Sequence, residues 1–171
     1  MSPPAPPEPF EIRPVAADEH DAVAQLTVSV YADVLKETLT DDYRVELAAV
    51  GHRAAEADVL VAVDAAGRLL GSVTFVPKVT SAYAEFRDDD EGGIRMLVVA
   101  PEAQRRGVGT ALMAACVDRA RAVGLSRLSL HTTPSMTAAQ GLYEGLGFHR
   151  APERDWEPEP GVHLIAYLLA L

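Results

Sequence analysis

The stretch Val98-Val99-Ala100-Pro101-Glu102-Ala103-Gln104-Arg105-Arg106-Gly107-Val108-Gly109-Thr110-Ala111-Leu112-Met113 passes from an apolar run through a basic, glycine-bearing turn into a helical pattern. It reads as a strand that delivers a phosphate-holding loop to a helix N-terminus. Two glycines let the backbone come close to a ligand, and the start of the helix supplies unpaired N–H groups and the positive end of its dipole. Arg105 and Arg106 add charge for phosphate oxygens. Spacing excludes two other phosphate loops: the dinucleotide fingerprint needs a third glycine where Leu112 stands, and the P-loop needs Gly-Lys-Ser/Thr.

What the spacing does match is Gln-x-x-Gly-x-Gly, Gln104 to Gly109, after the strand Arg95-Met96-Leu97-Val98-Val99. This resembles the coenzyme A loop of the GNAT superfamily of N-acetyltransferases. Downstream, Ala138-Ala139-Gln140-Gly141-Leu142-Tyr143-Glu144-Gly145-Leu146-Gly147-Phe148 resembles the second signature of the same family, in the same order. The resemblance is specific from Ile94 to Phe148 and extends in element order from Phe10.

The resemblance implies a mixed α/β fold, with a mostly antiparallel sheet of about six or seven strands flanked by about four helices. It implies direct transfer of an acetyl group from acetyl-CoA to a primary amine in a ternary complex, without a metal. The alternative is a non-catalytic acyl-CoA-binding module of the same fold. By the resemblance, the backbone of Leu97, Val98 and Val99 pairs with the pantetheine amides as an added strand would. The pyrophosphate falls to Gln104, Arg105, Arg106, Gly107, Val108, Gly109 and Thr110, and Met136, Ala139 and Tyr143 complete the coenzyme contacts.

Tyr143 matches the tyrosine that the family places at the leaving thiolate; the alternative is a core tyrosine with a satisfied hydroxyl. A phenol of pKa ~10 is a weaker acid than a thiol of ~8.5, so full proton transfer is uphill by about 2 kcal/mol. Hydrogen bonding to the developing thiolate is the expected role. A lysine-like amine of pKa ~10.4 is neutral in only about one molecule in a thousand at neutral pH, so its proton needs a destination. One family glutamate corresponds to His131 and another to Gly93. Three routes stay open: His131 as base, Glu91 through water, or an amine that arrives neutral; a structural histidine is the alternative reading of His131. Tyr31, in the 31–39 stretch, and Tyr83 and Glu91, in the 78–93 loop, are candidates for acceptor binding. Core packing is the alternative for Tyr31, and a solvated loop for the acidic run of residues 88–91.

With 171 residues, 49% of them hydrophobic, the chain fits one domain over residues 10–171 behind a disordered Pro-rich tail, residues 1–9. The formal net charge of −10 disfavours a nucleic-acid partner. Locally, Arg105, Arg106, Arg119, Arg121 and Arg127 face a lone Asp118 along the sequence, a patch that suits a small polyanion. Arg119 and Arg121 also read as solvated helix residues. No apolar run approaches the ~20 residues of a membrane span, no signal peptide is legible, and the single Cys116 suits a reducing compartment. The expected location is the cytoplasm, with a homodimer left open.

The remaining expectations are of elements. Strands are expected over residues 10–13, 59–63, 69–76, 94–99 and 127–132, near 148, and over 163–169. Helices are expected over 20–30 with Asp18 as N-cap, from 40 or 41 to 55, over 108–123 and over 137–146.

Overall fold

The computed structural model describes residues 8–171, so the expected tail lies outside the described residues except for Glu8 and Pro9. Among the described residues, seven strands form one sheet in the order β1-β2-β3-β4-β5-β7-β6. They are β1 (Phe10–Pro14), β2 (Asp58–Asp64), β3 (Leu69–Val76), β4 (Glu91–Val99), β5 (Arg127–Thr132), β6 (His149–Arg150) and β7 (Ile165–Ala170). Five α-helices accompany them: α1 (His20–Leu35), α2 (Asp41–Ala48), α3 (Val50–Glu56), α4 (Val108–Ala122) and α5 (Thr137–Gly145). Every pairing is antiparallel except β4 with β5. The expected mixed, mostly antiparallel architecture is present, with one more helix than expected.

The near-continuous apolar run of β2 follows from its position between two cores. Leu60 and Ala62 join the cluster containing Leu112, Met113 and Cys116 of α4, while Val59, Val61 and Val63 pack with Val23 of α1 and Val50 of α3. A sheet covered on both faces leaves a central strand no polar side. Cys116 belongs to this core, and burial pushes its thiol up to about 12.

Two helix expectations are corrected. Asp18 is not the cap of α1: a 3₁₀ turn, Ala17–Glu19, precedes the helix, and Glu19 pairs with Arg13 at 2.6 Å while accepting from Ala16 N–H at 2.8 Å. The single helix expected up to residue 55 breaks at Ala49 into α2 and α3. The cause is Arg53, which is 1% exposed. Its Nη1 donates to the carbonyls of Glu46 and Leu47 at 3.2 Å each, and its Nε to Thr74 Oγ1 at 3.1 Å. The guanidinium takes the place of the next turn's N–H groups and sits at the negative end of α2.

Truncating Arg53 to Ala strands those carbonyls in the core. We expect the variant to lose about 3 kcal/mol and its Tm to fall by roughly 6–12 °C, read by scanning calorimetry. An unchanged Tm would contradict this account of the break.

The strand that matters for function is β4. It pairs with β5 in parallel only from Glu91↔Arg127 to Ile94↔Leu130, after which the two strands continue without pairing to each other. Its register against β3 shifts between Ser72 and Thr74, and Met96 there takes φ +55. This is a bulge, which bends a strand and increases its twist. Met96 packs with Leu39 and Leu47, and β4 leaves β5.

Candidate active site

The parting of β4 and β5 is a gap whose β4 edge carries unpaired backbone groups. Ala100 N–H donates to Leu70 O at 2.8 Å, and Val98 lies opposite Ser72. Alternation therefore turns the polar groups of Val98 toward β3 and those of Leu97 and Val99 into the gap. This corrects the expectation for Val98, whose side chain is buried and whose carbonyl is committed to the β3 side. Two adjacent open positions on one edge are what an extended amide chain needs in order to add itself as a strand.

The loop after β4 ends in the same place. Arg105 takes φ +63 and Gly107 φ +79, so the chain turns sharply before α4 begins at Val108. Ala111 N–H is the first of the helix to find a backbone acceptor, Gly107 O at 3.0 Å; among the described residues, the N–H groups of Arg105 to Thr110 have none. They form a nest at the positive end of a fifteen-residue helix. A Cβ on Gly107 would meet nothing within 4 Å, whereas one on Gly109 would lie 3.3 Å from Leu142. Thus Gly107 faces open space, and Gly109 lets α4 approach α5. Val108 is buried, so only its N–H faces the loop.

Of the expected basic patch, only Arg105 and Arg106 stay at this loop. Arg119 pairs with Asp58 at 3.4 Å, and Arg127 binds Glu91 at 3.0 Å and also Asp88 and Asp90. Arg106 donates to the carbonyl of Glu8 at 3.2 Å.

The other wall of the gap belongs to α5. Gln140 fixes its entry by donating to the carbonyls of Thr133 and Pro134 at 3.0 and 3.1 Å, and Gly147 at φ +94 ends it. Ala138 is exposed, and the buried stripe of α5 runs through Ala139, Leu142, Tyr143 and Leu146. Met136 precedes α5, its sulfur 3.5 Å from Thr132 Oγ1. The Tyr143 ring packs 6.2 Å from Phe148 and 5.9 Å from Tyr167, and it is 6% exposed. Its hydroxyl makes no hydrogen bond to any described residue, yet no buried described side-chain N or O lacks a partner. The ring is therefore core, and the hydroxyl opens onto solvent. Burial, with Tyr167 nearby, pushes its pKa up to about 12.

Beyond the end of the β4–β5 pairing lies a network of charges. Arg95, with its side chain 15% exposed, binds Glu46 at 3.3 Å and Glu85 at 3.2 Å. Burial works to lower its pKa, but Glu85, Tyr43 and Glu46 reverse this and leave it raised. Burial works to raise Glu85, but His131 and Arg95 outweigh it and hold the carboxyl below its ordinary value. His131 joins the network through Nδ1, 3.2 Å from Glu85, while its Nε2 lies 3.2 Å from the carbonyl of Arg154. Both ring nitrogens are thus engaged.

Tyr31 meets Tyr43 edge-on at 5.9 Å and feels Tyr143, Arg95 and Glu85, so the C-terminal half of α1 borders the gap. Burial drives the Tyr31 hydroxyl well above its ordinary pKa, as a neutral donor. Motif spacing points to none of Glu46, Glu85 or Arg95. The one available signal is Arg95 itself, a charge inside an otherwise apolar strand run, which needs a partner.

Two acceptor candidates are not at the gap. Glu91 is fully buried at the paired end of β4, between Arg127 at 3.0 Å and Arg154 at 2.7 Å, so its carboxylate faces neither substrate nor water. The acidic run is a structural tie: Asp88, Asp90 and Glu91 converge on Arg127. Tyr83 is buried with its hydroxyl 2.8 Å from His52 Nδ1, and Arg95 lies over its ring at 5.7 Å, so it stands behind Arg95. Gly93 faces the ring of Phe86, 2.9 Å from where a Cβ would be. That closes the second family position for a carboxylate.

Among the described residues no helix is long and apolar enough to cross a membrane. Comparison with known proteins agrees with the geometry. The ribosomal protein bS18-alanine N-acetyltransferase of Salmonella typhimurium is 36% identical over 83 residues, 48% of this chain and 56% of that protein. The match thus spans about half the length of that relative, and 18% to 28% of the mycothiol acetyltransferases of Renibacterium salmoninarum and Pseudarthrobacter chlorophenolicus. In fold, it resembles an acetyltransferase of the GNAT family from Staphylococcus aureus Mu50, with a TM-score of 0.77 at 13% identity over 95% of this chain and 99% of that one. It also resembles yncA from Salmonella typhimurium, whose structure contains its cofactor acetyl-CoA, with a TM-score of 0.67 at 22% identity over 96% and 95% of the two chains. The family model for the Acetyltransferase (GNAT) family matches residues 21–148, most of the described chain, and the protein belongs to that family.

Proposed function

We propose that this protein moves the acetyl group of acetyl-CoA to a primary amine by direct attack in a ternary complex. The observation that carries the reading is the gap itself. The unpaired edge of Leu97 and Val99 suits the pantetheine amides, the N–H nest from Arg105 to Thr110 suits the pyrophosphate, and the Tyr143 hydroxyl, with no partner among the described residues, suits the leaving sulfur. The amine approaches past Tyr31, nitrogen to thioester carbon. The Tyr143 hydroxyl donates to the sulfur as the C–S bond breaks. With its pKa at about 12 against ~8.5 for a thiol, handing over the proton would be uphill by roughly 5 kcal/mol. Tyr143 therefore acts as a hydrogen-bond donor.

In this reading the amine's proton passes to His131 at Nε2, with Glu85 on Nδ1 steadying the ring and its charge as the carboxylate of a triad does. Nε2 must leave the Arg154 carbonyl to accept it. His131→Asn is expected to slow turnover by roughly 100-fold near pH 7. The deficit should shrink toward pH 10, where the free amine needs no base. A deficit that stays constant across pH would assign His131 a structural role.

One observation favours a second reading, an acyl-CoA-binding module without transfer: both nitrogens of His131 are engaged. Release of coenzyme thiol from acetyl-CoA in the presence of an amine panel separates the two. Amine-dependent release supports transfer, and tight acetyl-CoA binding without release supports the module.

A further inference from the structure

Trp156 is the only tryptophan of the chain and stands 47% exposed. An indole left in water adds little to a core, yet this one is firmly placed. The backbone N–H of Trp156 donates to Leu164 O at 3.1 Å and its backbone carbonyl accepts from Leu164 N–H at 2.9 Å. The preceding residue, Asp155, is fixed by Arg150 at 2.8 Å and by Ala166 N–H at 2.8 Å. Arg150 holds the Asp155 carboxyl down at about 2, so this tie persists throughout the physiological pH range. The ring meets that of His131 edge-on, with centroids 6.4 Å apart. An exposed aromatic on a fixed backbone thus stands beside His131 on the β7 side.

Beside it lies a cavity of about 380 Å³ lined by Asp155, Trp156, Glu157, His163, Leu164 and Ile165. Ile165 pairs with Thr132, the residue after His131, so the cavity continues from the end of β5. Its volume falls in the range of small-molecule sites. Its charge is one-sided. Glu153, Asp155, Glu157 and Glu159 lie along this arm, while its nearest guanidiniums, Arg150 and Arg154, are bound to Asp155 and Glu91. The Glu157 side chain is 44% exposed, with His163 3.8 Å away. One Glu157 oxygen accepts from Gly161 N–H; an exposed carboxylate and an indole lining one cavity attract a cation and repel an anion.

Resting on the acetyltransferase reading above, we propose that this cavity takes a second cationic group of the acceptor. The substrate class is then a small diamine, with one amine reacting beside His131 and the other ammonium held on the Trp156 ring and the Glu157 carboxylate. The ring separation of 6.4 Å gives the scale of the distance between the two nitrogens. A four-carbon diamine matches that scale.

Fluorescence of the sole tryptophan reports this cavity directly, with or without turnover. The full chain is titrated with butane-1,4-diamine, with butylamine as the one-cation control and 4-aminobutanoate as the anion-bearing control. The expected result is a saturable change with the diamine at a Kd about tenfold below that of either control. Glu157→Gln should bring the diamine-to-butylamine ratio to about one, while acetyl-CoA binding measured by calorimetry stays as in the wild type. In the acetylation assay, Trp156→Ala should raise the diamine KM and leave its kcat near the wild-type value. Equal affinities for diamine and butylamine, no saturable change with the diamine, or a Glu157→Gln variant that keeps the preference would each overturn the proposal. Acetylation of amines without a diamine preference removes this inference and leaves the transferase reading standing. Diamine binding at Trp156 in a protein that never releases coenzyme thiol keeps the cavity and removes transfer.

Discussion

Gly107→Glu should lower acetyl-CoA affinity by at least about 100-fold, an effect of roughly 2.7 kcal/mol. The glycine has φ +79 and nothing within 4 Å of where a Cβ would stand, so the new side chain enters the space that the loop's N–H groups face. A carboxylate there meets phosphate oxygens with like charge, a juxtaposition that costs several kcal/mol. Strain accompanies the charge, because a non-glycine residue in the left-handed region costs about 1–2 kcal/mol. Gly107→Asn separates the two effects. Asparagine adopts that backbone more readily and carries no charge, so it should bind acetyl-CoA within about fivefold of wild type. Isothermal titration of both variants, with circular dichroism to confirm the fold, checks the claim. Wild-type affinity in the glutamate variant would remove the pyrophosphate from this loop.

Tyr143→Phe is expected to reduce kcat by roughly 10²–10³, the usual loss for a donor aimed at developing negative charge. The hydroxyl has no partner among the described residues, so its removal strands nothing. Acetyl-CoA affinity should therefore hold within about threefold, and Tm within about 1 °C. The pH dependence follows from the raised pKa. The hydroxyl keeps its proton below about pH 12, so the wild-type rate shows no loss from tyrosine ionisation up to about pH 11. Stopped turnover with intact binding is the signature to look for. A kcat within threefold of wild type would make Tyr143 a core tyrosine and nothing more.

What was legible in the sequence is what depends on neighbours along the chain. The glycines of the loop, the stop at Gly124 (φ +78) and the end of α5 at Gly147 (φ +94) each follow from one backbone requirement that the residue type announces. The strand β2 was legible from its nearly continuous apolar run, residues 59–63. What escaped depends on partners far along the chain. Glu91 resembled an available carboxylate until Arg127, 36 residues on, and Arg154, 63 residues on, closed around it. Arg95 meets Glu46 across 49 residues, and Arg53 reaches back to the carbonyls that interrupt a helix whose periodicity runs on undisturbed. The bulge at Met96 has no glycine to mark it, because the left-handed turn is imposed on a methionine by packing against Leu39 and Leu47. That bulge opens the gap, so the feature on which function depends most was the one least visible in the residues that form it.

Transfer within a ternary complex is distinguished from a covalent route by initial rates over a matrix of acetyl-CoA and amine concentrations. They should be paired with mass spectrometry of the protein incubated with acetyl-CoA alone. Direct attack predicts intersecting double-reciprocal lines and no acetyl group on the chain when amine is withheld. Parallel lines together with an acetylated protein would place a covalent intermediate on the pathway and contradict the account.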